Sequence, residues 1–246
     1  MKTDHNNQNS IASKARGLRA KLFGLAVEKV YLSSSNDMEG LSILDIGGTL
    51  EYWRMNARYL PANSVNSIEV VNLQHAAEVT ELINGIEFIA YQGNALDRNT
   101  LKQKTYDVVF SNSVIEHVGS LSDQKYFADN VNSLASYHFI QTPCETFPIE
   151  PHFYFPFFAL LPLGLRSWLY RNFRLGWMGR ERDWLKSRIL CEETRLLNKR
   201  ELLSIFPESN MLSERLFFLV KSWMITNMAN KTMQRTALHA AADHKR

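Results

Sequence analysis

The chain is poor in cysteine: Cys144 and Cys191 are the only two in 246 residues. Their separation matches neither a metal-ligand pair nor a disulfide framework, which fits a reducing compartment. Long apolar runs are also missing, since no stretch reaches the about 20 residues of a membrane-spanning helix. Met1–Ser10 is polar and lacks the apolar core of a secretory signal. These absences predict a cytoplasmic protein. Excess charge is small, +3 overall, where a nucleic-acid partner calls for a dense basic face. Asp123, Asp129 and Asp183 have no metal-binding spacing, so no metal site is expected. What remains is 45% hydrophobic and 22% charged, the balance of a folded protein of one α/β domain with additions.

The most informative segment is Ser42-Ile-Leu-Asp-Ile-Gly-Gly-Thr-Leu-Glu51. Leu41–Ile46 reads as a buried strand, a short aliphatic run closed by turn residues. Asp45 stands near its carboxyl end, where open α/β sheets bind ligands, and Gly47 and Gly48 allow a sharp turn and close approach to a ligand. The G-x-G-x-x-G of a dinucleotide site is absent, and Glu51 would repel a pyrophosphate, so a cofactor without phosphates fits better.

Alternation of strand and helix continues along the chain. Ser13–Tyr31 has helical spacing with an imperfect apolar face and reads as a docking helix whose basic residues are solvated. After Leu41–Ile46, strands are predicted at Val65–Leu73, Glu87–Tyr91, Tyr106–Asn112, Tyr137–Gln141, Met211–Arg215 and Leu219–Ile225. Helices are predicted at Glu51–Arg58, Gln124–Ser136 and Asn198–Phe206. The pattern gives a doubly wound, mostly parallel, seven-stranded sheet. Its expected divisions are a tail and docking helix (1–40), one half of the α/β domain (41–143), an aromatic insertion (144–197), a closing helix and strands (198–226) and a tail (227–246). The first dozen residues are expected to be disordered.

The strand ends form a series: Leu44-Asp-Ile-Gly-Gly-Thr49, Val70-Val-Asn-Leu-Gln74, Gly93-Asn-Ala-Leu-Asp97 and Tyr106-Asp-Val-Val-Phe-Ser-Asn-Ser-Val-Ile-Glu-His-Val118. Over about Ser42–Gln141 this resembles the class I methyltransferases that use S-adenosylmethionine, which have a Rossmann-like fold. Phe139-Ile-Gln-Thr-Pro143 and Phe147-Pro-Ile-Glu-Pro-His152 narrow the likeness to bacterial small-molecule and glycan members (types 11 and 23), found alongside polysaccharide and secondary-metabolite genes. The resemblance implies S-adenosylmethionine as cofactor, with Asp45, Gly47, Gly48 and Thr49 near its methionine part. It implies Asn72 and Leu73 at the ribose, Asn94 and Ala95 at the adenine, and Asn112 and Ser113 between adenine and methionine. Three positions depart from the family: Thr49 replaces a glycine of the turn, and Asn72 and Asn94 stand where acids are usual.

Methyl transfer to a hydroxyl needs alignment and a base within reach of one proton. His117, after the fourth strand, and His152, in the Pro-stiffened Glu150-Pro-His152, are the candidates, with Glu150 or Glu145 able to orient a histidine or bind substrate. Either histidine could equally be structural, His117 as a cap of the following helix. The aromatic segment Phe153–Trp177 reads first as a small helical lid with its own core; a role in choosing the acceptor is the functional alternative. Arg166, Arg171, Arg174, Arg180 and Arg182 could also grip an anionic acceptor such as a diphosphate-linked sugar, and membrane contact by the aromatic and arginine side chains is the minor reading. The expectation is methylation, on oxygen, of a small molecule or a sugar of a surface glycan, with no nucleic-acid partner and the oligomeric state open. The alternative is a non-catalytic binding or scaffold protein that keeps the fold.

Overall fold

The computed structural model describes residues 11–34, 39–102, 105–148, 155–176, 179–216 and 218–228. Residues 1–10 and 229–246, which hold most of the two expected tails, lie outside the described residues. Helix α1 (Ile11–Ser33) already begins within the dozen residues expected to be disordered.

Eight strands form one sheet: β1 (Leu41–Ile46), β2 (Val65–Asn72), β3 (Val79–Ile83), β4 (Ile86–Gln92), β5 (Tyr106–Asn112), β6 (Ala135–Pro143), β7 (Asn210–Leu216) and β8 (Leu219–Thr226). Their order is β3-β4-β2-β1-β5-β6-β8-β7. The five central strands run parallel, and β3, β7 and β8 pair antiparallel at the two edges. The doubly wound parallel sheet read from the sequence is therefore present, with one strand more than expected. β3 pairs with β4 through a two-residue turn at Asn84 (φ 53°) and Gly85 (φ 81°). Positive φ at both positions is the turn whose twist matches a hairpin, and Asn-Gly is its usual sequence. β3 brings the chain back from β2, so no helix connects β2 to β4.

Six α-helices are described. α1 and α2 (Leu50–Asn56) cover one face, α3 (Leu121–Leu134) and α6 (Lys199–Ile205) the other, and α4 (Leu163–Asn172) and α5 (Trp184–Glu192) pair between β6 and α6. Under α1 and α2 lies an aromatic cluster: Phe23 is 4.5 Å from Phe110, and Trp53 is 5.5 Å from Phe110, ring centre to ring centre. Phe127 and Val131 of α3 and Leu202 of α6 cover Leu44, Val109 and Ile140 on the opposite face. Phe158, Tyr170, Leu175 and Cys191 give the α4–α5 insertion a small core of its own. The helices are those expected, displaced by a few residues at their ends; α3 starts earlier because Ser120 and Asp123 close a capping box.

α1 sits unusually close to the turn after α2. A Cβ on Gly24 would overlap the backbone carbonyl of Tyr59. Alanine is better than glycine in a free helix by about 1 kcal/mol, so the two effects oppose. Because backbone cannot yield as a side chain does, the clash wins. Gly24→Ala is expected to lower stability by about 2 kcal/mol or more in urea denaturation. Gly164→Ala in α4, where nothing lies within 4 Å, should raise it slightly.

Candidate functional site

The sheet order reverses between β1 and β5, so the chain leaves their carboxyl ends in opposite directions and opens a crevice there. The turn after β1 forms its floor. Gly47 has φ +78°, which strains any residue with a Cβ, and its N–H donates to the Val71 carbonyl at 2.7 Å. Gly48 is required for a different reason: a Cβ there would overlap the carboxylate of Asp45. That carboxylate is buried, and the indole Nε1 of Trp53 donates to its Oδ2 at 2.7 Å. Oδ1 has no partner. Burial pushes the Asp45 carboxyl up to about 7, with the indole bond opposing. Thr49 needs no glycine-like freedom, because it is extended (φ −140°) and caps α2, its hydroxyl accepting from Tyr52 N at 3.2 Å.

Asn72 reaches across from β2. Its Nδ2 donates to the carbonyls of Gly47 (3.0 Å) and Gly48 (3.1 Å), and its Oδ1 accepts from Gln74 N at 3.0 Å. An aspartate could not make the first two bonds. The residue that departs from an acid is thus the clamp on the glycine turn. Asn94 also folds its own loop: its Oδ1 accepts from Leu96 N at 2.9 Å. Ser113 has φ +60° and is held by Gln141, through its N–H to the carbonyl (3.0 Å) and its hydroxyl to Oε1 (2.8 Å). Backbone held in such a sparsely populated conformation is a frequent mark of a functional site.

Two cavities meet at Gly47. One, of about 530 Å³, is lined by Asn72, Leu73, Asn94, Ala95, Ser113 and His117 among others. The other, of about 310 Å³, is lined by Asp45, Gly48, Thr49, Tyr52, Asn112 and Arg16 of α1 among others. Every cofactor-binding residue expected from the sequence lines one or both. Here α1 departs from the expected docking helix with solvated basic residues. Arg19 is only 8% exposed, donates to Asn112 Oδ1 at 2.9 Å, and pairs with buried Glu214 at 3.4 Å. Arg19 and Lys221 hold Glu214 below the usual carboxylate range although burial opposes them. Burial, then repulsion from Arg19, lowers Arg16.

A third cavity, about 600 Å³, lies between the N-terminus of α3 and the α4–α5 insertion, lined by Ser120, Glu145, Arg166, Glu192, Glu193 and Arg195 among others. The Nε of Arg166 is buried there without a partner, while its Nη1 donates to the Cys191 carbonyl at 3.2 Å. Burial raises the Glu145 carboxyl, Glu201 adds to the rise and Arg195 opposes it. His117 is exposed and lines the 530 Å³ cavity; Gly119, two residues on, lines the 600 Å³ one. Neighbouring Glu116 is buried and accepts from the Thr142 hydroxyl at 3.1 Å. Glu150 and His152 lie outside the described residues. So do Phe153, Tyr154 and Trp177 of the aromatic segment.

The sequence pattern does not single out Arg16, Trp53 or Arg195, which line the cavities or support Asp45; Arg166 it offers only as one of five arginines able to grip an anionic acceptor. Trp53 had a signal: it falls eight residues after Asp45, inside the helix that follows the glycine turn. Arg16 and Arg195 had none, because their positions depend on how α1 and the insertion fold back on the sheet. Among the described residues no group of His, Cys, Asp or Glu could hold a metal.

No protein-family model matches the chain, and no curated protein is significantly similar to it. Solved structures are. The CurJ carbon methyltransferase superposes with a TM-score of 0.53 at 12% identity, over 89% of this chain and 55% of that one. This chain therefore spans about half the length of that neighbour. An O-methyltransferase family protein from Burkholderia thailandensis gives 0.47 at 12% identity, over 87% and 57% of the two chains. Magnesium protoporphyrin IX methyltransferase from Synechocystis PCC 6803, solved with S-adenosylhomocysteine, gives 0.46 at 13%, over 89% and 88%. The likeness to CurJ shows the fold: this chain has the Rossmann-like fold of class I S-adenosylmethionine-dependent methyltransferases, as the strand-end motifs led us to expect.

Two consequences can be measured. With its carboxyl raised to about 7, folded Asp45 holds a proton that the unfolded chain releases near its ordinary value of 3.8. Its contribution to stability is full below that value and lost as pH rises through 7. His138, lowered to about 4 by burial, acts in the opposite sense and loses stability as pH falls through 4 from its ordinary 6.5. The two largely offset each other in the parent between pH 4 and 6.5. Asp45→Asn should therefore gain stability over the parent progressively from pH 4 to pH 8, by about 4 kcal/mol at most. A pH-independent difference in urea denaturation would show that Asp45 ionises normally. Asn72→Asp is expected to cost about 2 kcal/mol or more by setting a carboxylate against the two carbonyl oxygens of Gly47 and Gly48. Thermal melts at neutral pH check this.

Proposed function

We propose that this chain is a cytoplasmic S-adenosylmethionine-dependent methyltransferase acting on a hydroxyl of a small polyhydroxylated molecule, such as a sugar destined for a surface glycan. The observation that supports it most is the pair of cavities meeting at Gly47, with the partnerless Asp45 Oδ1 buried beside one of them. An elongated, phosphate-free ligand with a cationic amino acid end fits that arrangement. Leu73, Ala95 and Val118 offer apolar walls to a flat base. The Asp45 side of the turn favours a positive charge, and Arg16 on the same cavity favours a carboxylate.

S-adenosylmethionine, when bound, supplies an electrophilic methyl group. The chain's part is alignment, exclusion of water and removal of one proton. His117, on the rim between the cofactor crevice and the 600 Å³ cavity, is suited to take that proton from an acceptor hydroxyl. His152 and Glu150 keep the same proposed role on sequence grounds. A cavity lined by Glu145, Glu192, Glu193, Arg166 and Ser120 presents donors and acceptors side by side, which suits vicinal hydroxyls better than an apolar acceptor. One observation favours a second reading, a binding protein without turnover: both amide protons of Asn72 are committed to the glycine turn, and no carboxylate stands ready for the ribose.

Calorimetric titration with S-adenosylmethionine and S-adenosylhomocysteine tests the proposal. Micromolar binding of both is expected, lost in Gly47→Val, where a Cβ would overlap Val114, and weakened in the fold-preserving Asp45→Asn. No heat with either ligand and an unchanged melting temperature would refute the enzyme. Binding without transfer to any hydroxyl acceptor would favour the second reading.

A further inference from the structure

The outer surface of the α4–α5 insertion has no role in the site described above, and it has a distinctive make-up. Of the 17 large hydrophobic side chains exposed among the described residues, eight fall within residues 155–192, and all but Ile189 lie away from the 600 Å³ cavity. That density far exceeds the rest of the surface, where such side chains are scattered singly. On α4, Leu165, Trp168 and Asn172 follow one exposed face at helical spacing, opposite buried Ser167 and Tyr170. Trp168 is 49% and Phe173 50% exposed, yet the two rings lie edge to face with centres 5.8 Å apart. Their pairing keeps a bulky apolar knob standing in water.

Arginines surround that knob. The Arg171 Nε donates to the Arg182 carbonyl at 3.1 Å, and the Arg180 Nε donates to the Arg171 carbonyl at 2.9 Å. These bonds bring residues 171, 180 and 182 together beside Trp168 and Phe173, and Arg174 and Trp184 adjoin them in sequence. The segment 155–192 has seven basic and three acidic residues, a net of +4, whereas the entire chain carries +3. The positive charge of this protein is thus concentrated where its apolar surface is exposed.

We propose that this face of the insertion docks on an anionic membrane surface, with Trp168 and Phe173 entering the headgroup region and the arginines meeting lipid phosphates. Charge decides the occupant. A second copy would set one +4 face against another, so self-association through this surface is opposed. Aromatic rings that carry both apolar area and polar edges favour the membrane–water interface, and each basic side chain near an anionic leaflet adds to the attraction. No described helix is long and apolar enough to cross a membrane, so contact at the surface is the mode that fits.

The test is co-sedimentation of the whole chain with vesicles of mixed phosphatidylglycerol and phosphatidylcholine, and with phosphatidylcholine alone. Quenching of tryptophan fluorescence by brominated lipid is read in parallel. The proposal expects binding to the anionic vesicles only, with quenching. Trp168→Ala with Phe173→Ala should weaken binding about tenfold or more and remove most of the quenching. Arg174→Glu with Arg182→Glu, whose side chains donate none of the hydrogen bonds described here, should weaken binding by a similar factor. All four side chains are at the surface, and an unchanged melting temperature verifies folding. Three outcomes would each overturn the proposal: no vesicle binding by the parent, binding insensitive to both variant pairs, or a concentration-dependent dimer abolished by the aromatic pair. Retention on an acidic polypeptide but not on vesicles would likewise overturn it, in favour of a protein partner.

Discussion

The crevice depends on one buried carboxylate. Asp45 occupies the space that a side chain at position 48 would need, so Gly48 must be glycine, and the turn into α2 takes a path that leaves backbone open to a ligand. Trp53 supports the same carboxylate from the first turns of α2, and its ring is part of the aromatic layer beneath α1. The geometry of the crevice and core packing are therefore joined at a single residue. The cost is a carboxyl without full solvation, whose buried Oδ1 has no hydrogen-bond partner.

Around that centre the polypeptide has economised on connections. An antiparallel strand, β3, takes the place of a crossover helix between β2 and β4, and among the described residues only a short 3-10 turn at Arg98–Thr100 lies between β4 and β5. The missing cover is compensated on the other flank by α1, which packs backbone against backbone at Gly24 and brings Arg16 and Arg19 to the strand ends. The insertion then has two faces with different chemistry. Its inner side lines a mixed-charge cavity next to His117, and its outer side concentrates aromatic and basic groups.

Much of this was legible in the sequence, and the reasons are local. β1 and β5 were placed correctly because buried parallel strands are short aliphatic runs closed by turn residues. The residues from Asp45 to Ser113 expected at the cofactor share two adjoining cavities because they sit at strand ends, which fold topology places in one crevice. β3 escapes the sequence pattern because Val79-Thr-Glu-Leu-Ile83 is short and lacks apolar alternation, although the Asn84-Gly85 turn after it is a strong hairpin signal. Asn72 was read as a weakened ribose ligand, and only the folded turn shows that its amide holds two carbonyls. Arg19 could not be foreseen as buried, since its partners Asn112 and Glu214 are distant in sequence.

The central claim is that the glycine turn, secured by Asp45 and Asn72, seats the cofactor. Hydrogen exchange of the backbone amides, with and without S-adenosylhomocysteine, addresses it directly. Slowed exchange at Gly47–Thr49, Leu73–Gln74 and Asn94–Leu96, with little change in α4 and α5, is the predicted pattern. Protection confined to the insertion, or none at saturating ligand, would contradict the account.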